Sequence, residues 1–318
     1  MLFMTRVAII ANPASSKDIR RVVSHASSVS NNEKTSIVRR VLQGLAATPV
    51  EEVWYLPDHA GIVRNAAERQ QLPFHLQPFE GQWHDHADDT TLAARLAEQH
   101  NVGCLITLGG DGTARAAIKG SRSIPILALS TGTNNAFPQT VEPTLAGLAA
   151  GSVACFAPTA ITRHALLEIY RNHELIDLAL VDVASVADSL GGRAVWEISK
   201  VQQVVTTRLT PGTVGLSAIG GHCGVAPADA YAIHVLLGAG RTINVPIAPG
   251  LIAPVALAES TYLAAGEGIE LQSGAIALDG EREWMARAGE QWRVNVLAEG
   301  VATVDLAAAL AAFAQQSR

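Results

Sequence analysis

The order of apolar runs along the 318-residue chain predicts an α/β N-terminal domain on a parallel, doubly wound sheet. An all-β, sandwich-like domain should follow, then a C-terminal helix that returns to the first domain. Three observations carry this. Up to about residue 150, short β-like runs alternate with helical patterns. From about residue 155, β-like runs follow one another, separated by Gly, Pro, Asn and Asp. The last stretch, 304–316, sets Leu306, Leu310 and Phe313 on one helical face. The expected domains are residues 1–150, with 298–318 packing back on them, and residues 151–297.

In the first half, strands are expected at Arg6–Ala11, Val50–Leu56, Leu72–Pro78, Val102–Leu108 and Ile124–Leu129, and helices at Asn32–Ala47, Gly61–Gln71 and Asp88–His100. Such alternation gives right-handed crossovers and a sheet covered on both faces. The serine-rich stretch Val22–Lys34 has almost no apolar periodicity and reads either as a surface loop or lid, or as a plain linker. In the second half the β-like runs are Ala160–Tyr170, Ile176–Val186, Val195–Leu209, Thr213–Ile219, Tyr231–Leu237, Ile243–Pro246, Tyr262–Ala264, Ile269–Leu271, Ala275–Leu278 and Trp292–Leu297.

Composition narrows the function. With 48% hydrophobic and 16% charged residues the chain can bury a large core, as an ordinary soluble enzyme does. A formal net charge of −6 without any lysine and arginine stripe argues against a nucleic-acid surface, and no amphipathic basic helix offers membrane contact. The apolar start is interrupted by Arg6 and is too short to span a bilayer. Cys104, Cys155 and Cys223 lack disulfide or metal spacing, so reduced thiols in a cytoplasmic protein are expected.

The most informative motif is Gly109-Gly110-Asp111-Gly112-Thr113, placed between an expected strand and an expected helix. Three glycines let the backbone turn tightly and bring N–H groups to phosphate oxygens, while the helix start adds positive dipole. In the plainer alternative, Asp111 only caps the helix. Ligands of open α/β sheets bind beyond the carboxyl ends of strands, where Asn12–Lys17, Gly109–Thr113 and Ser130–Asn135 should meet. Lys17 is the lysine nearest this crevice in sequence, either a phosphate ligand or a solvated charge. Trp83-His84-Asp85-His86-Ala87-Asp88-Asp89 has the composition of a metal site, but a polar loop whose Asp88 or Asp89 caps the next helix is the preferred reading. His222-Cys223 reads as packing.

In this order, Asn12-Pro13-Ala14-Ser15-Ser16, Gly109–Thr113, Gly132-Thr133-Asn134-Asn135 and Asp279-Gly280-Glu281 resemble the NAD kinase and diacylglycerol kinase superfamily. Thr210–Gly215 up to Gly220-Gly221 is similar to the dinucleotide-lining segment of NAD kinases, with Gly215 at the tyrosine position. Ala179–Val183 is similar to their ribose-holding Asn-Glu/Asp element, with Val181 at the asparagine position. The combination resembles the ATP-NAD kinase-like proteins of the acetoin-catabolism protein X type.

That resemblance implies an ATP- and Mg²⁺-dependent kinase phosphorylating a hydroxyl of NAD or a related metabolite, with a link to acetoin catabolism. It implies nucleotide phosphates on Asn12, Ser15, Lys17, Gly109, Gly110, Gly112, Thr113, Thr133, Asn134 and Asn135. The substrate would meet Asp182, Thr213, Gly220 and Gly221, and either Asp111 or Glu281 would serve as base. No dedicated metal site is expected, since Mg²⁺ arrives on the phosphates with Asp279 as a possible added ligand. Asp279-Gly280 is equally a common hairpin turn. A homodimer is implied by the family's second domain. A nucleotide-binding sensor without turnover and a lipid kinase are the alternatives.

Overall fold

The computed structural model describes residues 5–15, 28–131, 135–187, 198–280 and 282–316. The first half is the expected doubly wound unit. Strands β1 (Arg6–Ala11), β2 (Glu52–Tyr55), β3 (His75–Pro78), β4 (Cys104–Gly109) and β5 (Ile126–Ser130) pair in parallel in the order β3-β2-β1-β4-β5. Alternation along β1 decides the two faces. Val7, Ile9 and Ala11 pack with α1 (Asn31–Ala46), α2 (Ile62–Ala67) and α5 (Pro143–Cys155), while Ala8 and Ile10 pack with α3 (Ala87–Gln99) and α4 (Asp111–Gly120).

Helix α1 corrects the reading of Val22–Lys34. Residues 22–27 lie outside the described residues, but Ser30 is an N-cap whose hydroxyl accepts from Glu33 N–H at 3.1 Å, so Asn31–Lys34 form the first helical turn. Helix α5, not anticipated from periodicity, is buried on several sides, so no polar stripe marks it. It crosses α1 through Gly44 and Gly147: a Cβ on Gly147 would stand 2.2 Å from the Val41 carbonyl oxygen, and one on Gly44 2.2 Å from that of Thr144.

Beyond residue 155 the strands divide between two sheets. β6 (Ile161–Arg171), β7 (Glu174–Ala179) and β15 (Trp292–Val304) extend the first sheet as β5-β15-β6-β7, with β12 (Gly268–Glu270) beside β15. The second sheet is antiparallel, ordered β11-β10-β9-β8-β13-β14, from β8 (Asp182–Val186), β9 (Val201–Thr206), β10 (Ala232–Ala248), β11 (Leu251–Leu263), β13 (Gly274–Leu278) and β14 (Arg282–Ala286). Val183, Val205, Ile276 and Leu278 pack against Leu167, Ile169, Trp292 and Val294 of the first sheet, so the sandwich forms between the two sheets.

The expected strand Thr213–Ile219 is instead a loop leading into the short helix α6 (Ser217–Gly221). The loop is tied to β10 by Gly215 N–H to the Pro246 carbonyl (3.0 Å), and Gly215 sits at φ +111°, a backbone state suited to glycine. The run Ile176–Val186 breaks at Leu180-Val181 between β7 and β8. Helix α7 (Leu306–Gln316) packs on the α1/α5 face through Leu306, Ala309 and Leu310, returning to the first unit as expected. Among the described residues no helix is long and apolar enough to cross a membrane.

The α1/α5 crossing yields a direct test. Gly147→Ala should destabilise the protein by about 1–3 kcal/mol despite alanine's better helix propensity, because backbone, not a mobile side chain, occupies the space. A urea unfolding midpoint equal to the wild type would contradict it.

Candidate active site

The structure brings three strand exits together. Asn12 N–H donates to the Leu108 carbonyl (2.9 Å), and Asn12 Nδ2 donates to Thr113 Oγ1 (2.9 Å), joining the first exit to the glycine loop. Thr131 N–H donates to the Gly109 carbonyl (3.0 Å) and the hydroxyls of Ser15 and Thr131 lie 3.1 Å apart, adding the third exit. Gly110 is the N-cap of α4 in extended backbone, and Asp111, Gly112 and Thr113 form its first turn, whose leading N–H groups lack intrahelical acceptors by construction. Asn135 Nδ2 donates to Ser130 Oγ (2.6 Å). Lys17, Thr133, Asn134 and Glu281 lie outside the described residues.

A different lysine serves the first loop. Lys34, fully buried on α1, points its ammonium at the carbonyls of Asn12 (2.9 Å), Pro13 (3.4 Å) and Ser15 (3.0 Å) and at Asn31 Oδ1 (3.3 Å). It therefore fixes the turn from behind and places a positive charge beneath it. The signal in the sequence was its place four residues after an N-cap serine, on the face of Val38 and Val41.

Asp111 does not cap its helix. Its carboxylate reaches across to accept the amides of Ala136 (3.1 Å) and Phe137 (2.8 Å), which follow the β5 exit. It is buried, and desolvation with the charge of Asp279 pushes its pKa up to about 7, against the pull of the two amides and of Arg208. Asp111 lines a small cleft with Ala136, Val181, Asp182, Asp279 and the loop 214–217.

The cleft's other wall is built around Asp279. Its carboxylate accepts from the amides of Leu180 (3.1 Å), Val181 (2.9 Å) and Asp182 (3.3 Å), and Arg115 Nε of α4 stands 3.8 Å away. Thr206 Oγ1 and Thr207 Oγ1 donate to the carbonyls of Val181 (2.9 Å) and Leu180 (2.8 Å), so both edges of that turn are held. Burial raises the Asp279 pKa, opposed first by Arg115. With so many donors on it, this carboxylate acts as a clasp between elements.

The remaining predicted residues fall nearby or apart. Asp182 is buried at the start of β8 and lines the cleft. Thr213 accepts a 3.4 Å hydrogen bond from Ser217. Gly220 and Gly221 lie against β9, β10 and Thr210, where a Cβ would meet Thr206 Cγ2 at 2.4 Å and the Thr210 carbonyl at 2.5 Å, respectively. Their bareness serves packing. At the 83–89 cluster, His86 is the N-cap of α3 and Asp89 completes a capping box, accepting from His86 N–H (3.1 Å), with a further bond from His84 N–H (2.6 Å). Among the described residues no group of three or more His, Cys, Asp or Glu is placed to hold a metal ion. Cys104 and Cys155 are buried, Cys223 half-buried, and none is in a disulfide.

Fold and site together define a two-domain protein of the NAD kinase-like kind. Residues 7–154 match the family described as the ATP-NAD kinase N-terminal domain, and residues 165–299 that of the acetoin catabolism protein X C-terminal domain. Acetoin catabolism protein X of Cupriavidus necator H16 is 35% identical over 96% of this chain and 91% of its own length. The chain belongs to the acetoin catabolism protein X family. A crystal structure of a diacylglycerol kinase from Bacillus anthracis strain Sterne is similar at 14% identity, with a TM-score of 0.46, over 96% of this chain and 97% of that one.

Asp111 gives this site a pH signature. Its folded pKa lies above the ordinary carboxyl value of 3.8, so its contribution to stability is complete below that value and is lost as pH rises through about 7. Asp111→Asn should match the wild type near pH 4 and exceed it above pH 7, by about 1 kcal/mol or more. Parallel stability–pH curves from chemical denaturation would contradict this.

Proposed function

We propose that this protein is an ATP-dependent kinase that transfers the terminal phosphoryl group to a hydroxyl of a small metabolite, with Asp111 as general base. The observation that carries the reading is the Asp111 carboxylate. It is buried at the first residue of the glycine-loop helix, faces a cleft between the two sheets, and has its pKa near neutrality. A base of that pKa can take a hydroxyl proton at working pH and hold it.

The nucleotide phosphates would lie along Asn12–Ser15 and Gly109–Thr113, where the helix start and the Lys34 ammonium beneath the loop favour negative charge. The donor set fits Mg²⁺ carried on the phosphates with at most one or two cleft carboxylates, since no protein cage is present among the described residues. Bound there, the ion would neutralise phosphate charge. The acceptor oxygen would bond to phosphorus as the bridging P–O bond breaks, the electron pair leaving on ADP and the hydroxyl proton passing to Asp111.

Two features support an acceptor other than NAD. Val181 lines the cleft and carries no polar side-chain group, and its amide is already taken by Asp279. At Gly215, φ of +111° is a state in which a tyrosine would be strained. A small hydroxylated metabolite, in keeping with the family's name, suits the cleft better.

The test is phosphoryl transfer from Mg-ATP to a panel of NAD, acetoin and related diols, and diacylglycerol. Asp111→Asn should lower the rate by about 10²-fold or more, and wild-type kcat/KM should rise with pH through a limb near 7. ATP binding without any product across the panel would instead favour a nucleotide sensor.

A further inference from the structure

One cation in this region keeps a buried donor without a hydrogen-bond partner. Arg208 stands two residues beyond the end of β9, its amide donating to Thr206 Oγ1 (3.0 Å). Its guanidinium carbon lies 5.7 Å from the centroid of the Phe137 ring, and Phe137 is the residue whose amide holds Asp111 at 2.8 Å. Arg208 Nε is sealed from solvent and makes no hydrogen bond.

Two of the three neighbouring acids are already engaged elsewhere. Asp111, Asp182 and Asp279 all act on Arg208 through space, and all favour its charge. Yet the carboxylate of Asp111 is engaged by the amides of Ala136 and Phe137, and that of Asp279 by three amides and Arg115. Leaving a buried guanidinium N–H without an acceptor is unfavourable, and a fold selected for stability alone would avoid it. Burial also pushes the arginine's pKa below its ordinary value, so an added anion would relieve the site.

We infer that Arg208 is a catalytic residue whose guanidinium receives the oxyanion of the phosphoryl group in transfer. Its ligand class is a tetrahedral phosphoryl oxyanion, which the planar fork of arginine matches in a way an ammonium does not. The placement fits the chemistry: Asp111 and Arg208 flank Phe137, so the group that gives up a proton and the group that gains negative charge are served from adjacent positions. As the acceptor O–P bond forms and the bridging P–O bond to ADP breaks, Arg208 offsets charge on the non-bridging oxygens. The identity of this anion rests on the kinase reading given above.

The experiment compares ATP and ADP binding by calorimetry in the wild type, Arg208→Met and Arg208→Lys, together with kcat/KM against pH. Arg208→Met should weaken ATP binding at least tenfold while leaving ADP within twofold. It should also move the acidic limb of the rate profile upward, because Asp111 loses a stabilising charge. Arg208→Lys should fall between the two, and it carries the comparison if the methionine variant does not fold. Equal effects on ATP and ADP, or none on either, would overturn the inference. If the wild type binds neither nucleotide, the kinase reading falls and titration with inorganic phosphate decides Arg208. Binding lost in Arg208→Met, or weakened in Arg208→Lys, would uphold an oxyanion site; binding unchanged, or none in the wild type, would refute it.

Discussion

The clasp formed by Asp279 is the constraint on which the rest of the site depends. The chain passes from the first sheet into the second at Leu180-Val181, where β7 ends and β8 begins, and a crossing between sheets leaves amides without ladder partners. Asp279 supplies the missing acceptor for three of them in succession. It can do so because Asp279 and Gly280 both adopt positive φ, +50° and +73°, which turns the carboxylate inward at the end of β13. Aspartate tolerates that backbone state better than most residues. The amides and Arg115 offset part of the cost of burying the charge.

Arg115 extends this constraint to the glycine loop. Asp111, Arg115 and Lys119 are spaced by four along α4 and so share one helical face. Each reaches a different element: Asp111 the segment after β5, Arg115 the clasp, and Lys119 the buried Asp177 of β7 at 2.9 Å, which also accepts from Trp284 Nε1 at 3.1 Å. The helix that begins with the proposed base is thereby fixed against both sheets along its length. A shift of the second sheet would carry Asp279 and Arg115 with it and alter the setting of Asp111, whose acidity Asp279 helps to set.

What could be read in the sequence was local. β1 falls at Arg6–Ala11 as expected, and the order of strands and helices up to β5 follows from alternation and turn residues alone. The convergence of Asn12, Gly109–Thr113 and Thr131 followed from topology, since exits of neighbouring parallel strands lie on one edge. Features set by distant partners were not legible. α5 has no polar stripe because several of its sides are covered; β6, with its hairpin partner β7, reaches the first sheet by pairing with β15 more than a hundred residues away; and the apolar run Thr213–Ile219 bends at Gly215, whose φ of +111° favours glycine. Lys34 and Arg208 escaped notice for a shared reason. Neither belongs to a recognisable motif, and only the fold reveals whether such a charge faces water or a cluster of oxygens.

The same geometry shapes the wall of the cleft. Both positions where this chain departs from the dinucleotide-binding pattern, Val181 and Gly215, line it, and at Gly215 the departure lies in the backbone as well as the side chain. A tyrosine at 215 would need a different backbone, and Gly215 N–H is bound to Pro246. The departure at Gly215 is therefore built into the backbone of the loop that faces Asp111 and Asp279 across the cleft. That loop is tied to β10 through Pro246, and the clasp on Asp279 joins β13 to the turn before β8, so both walls take their shape from the second sheet.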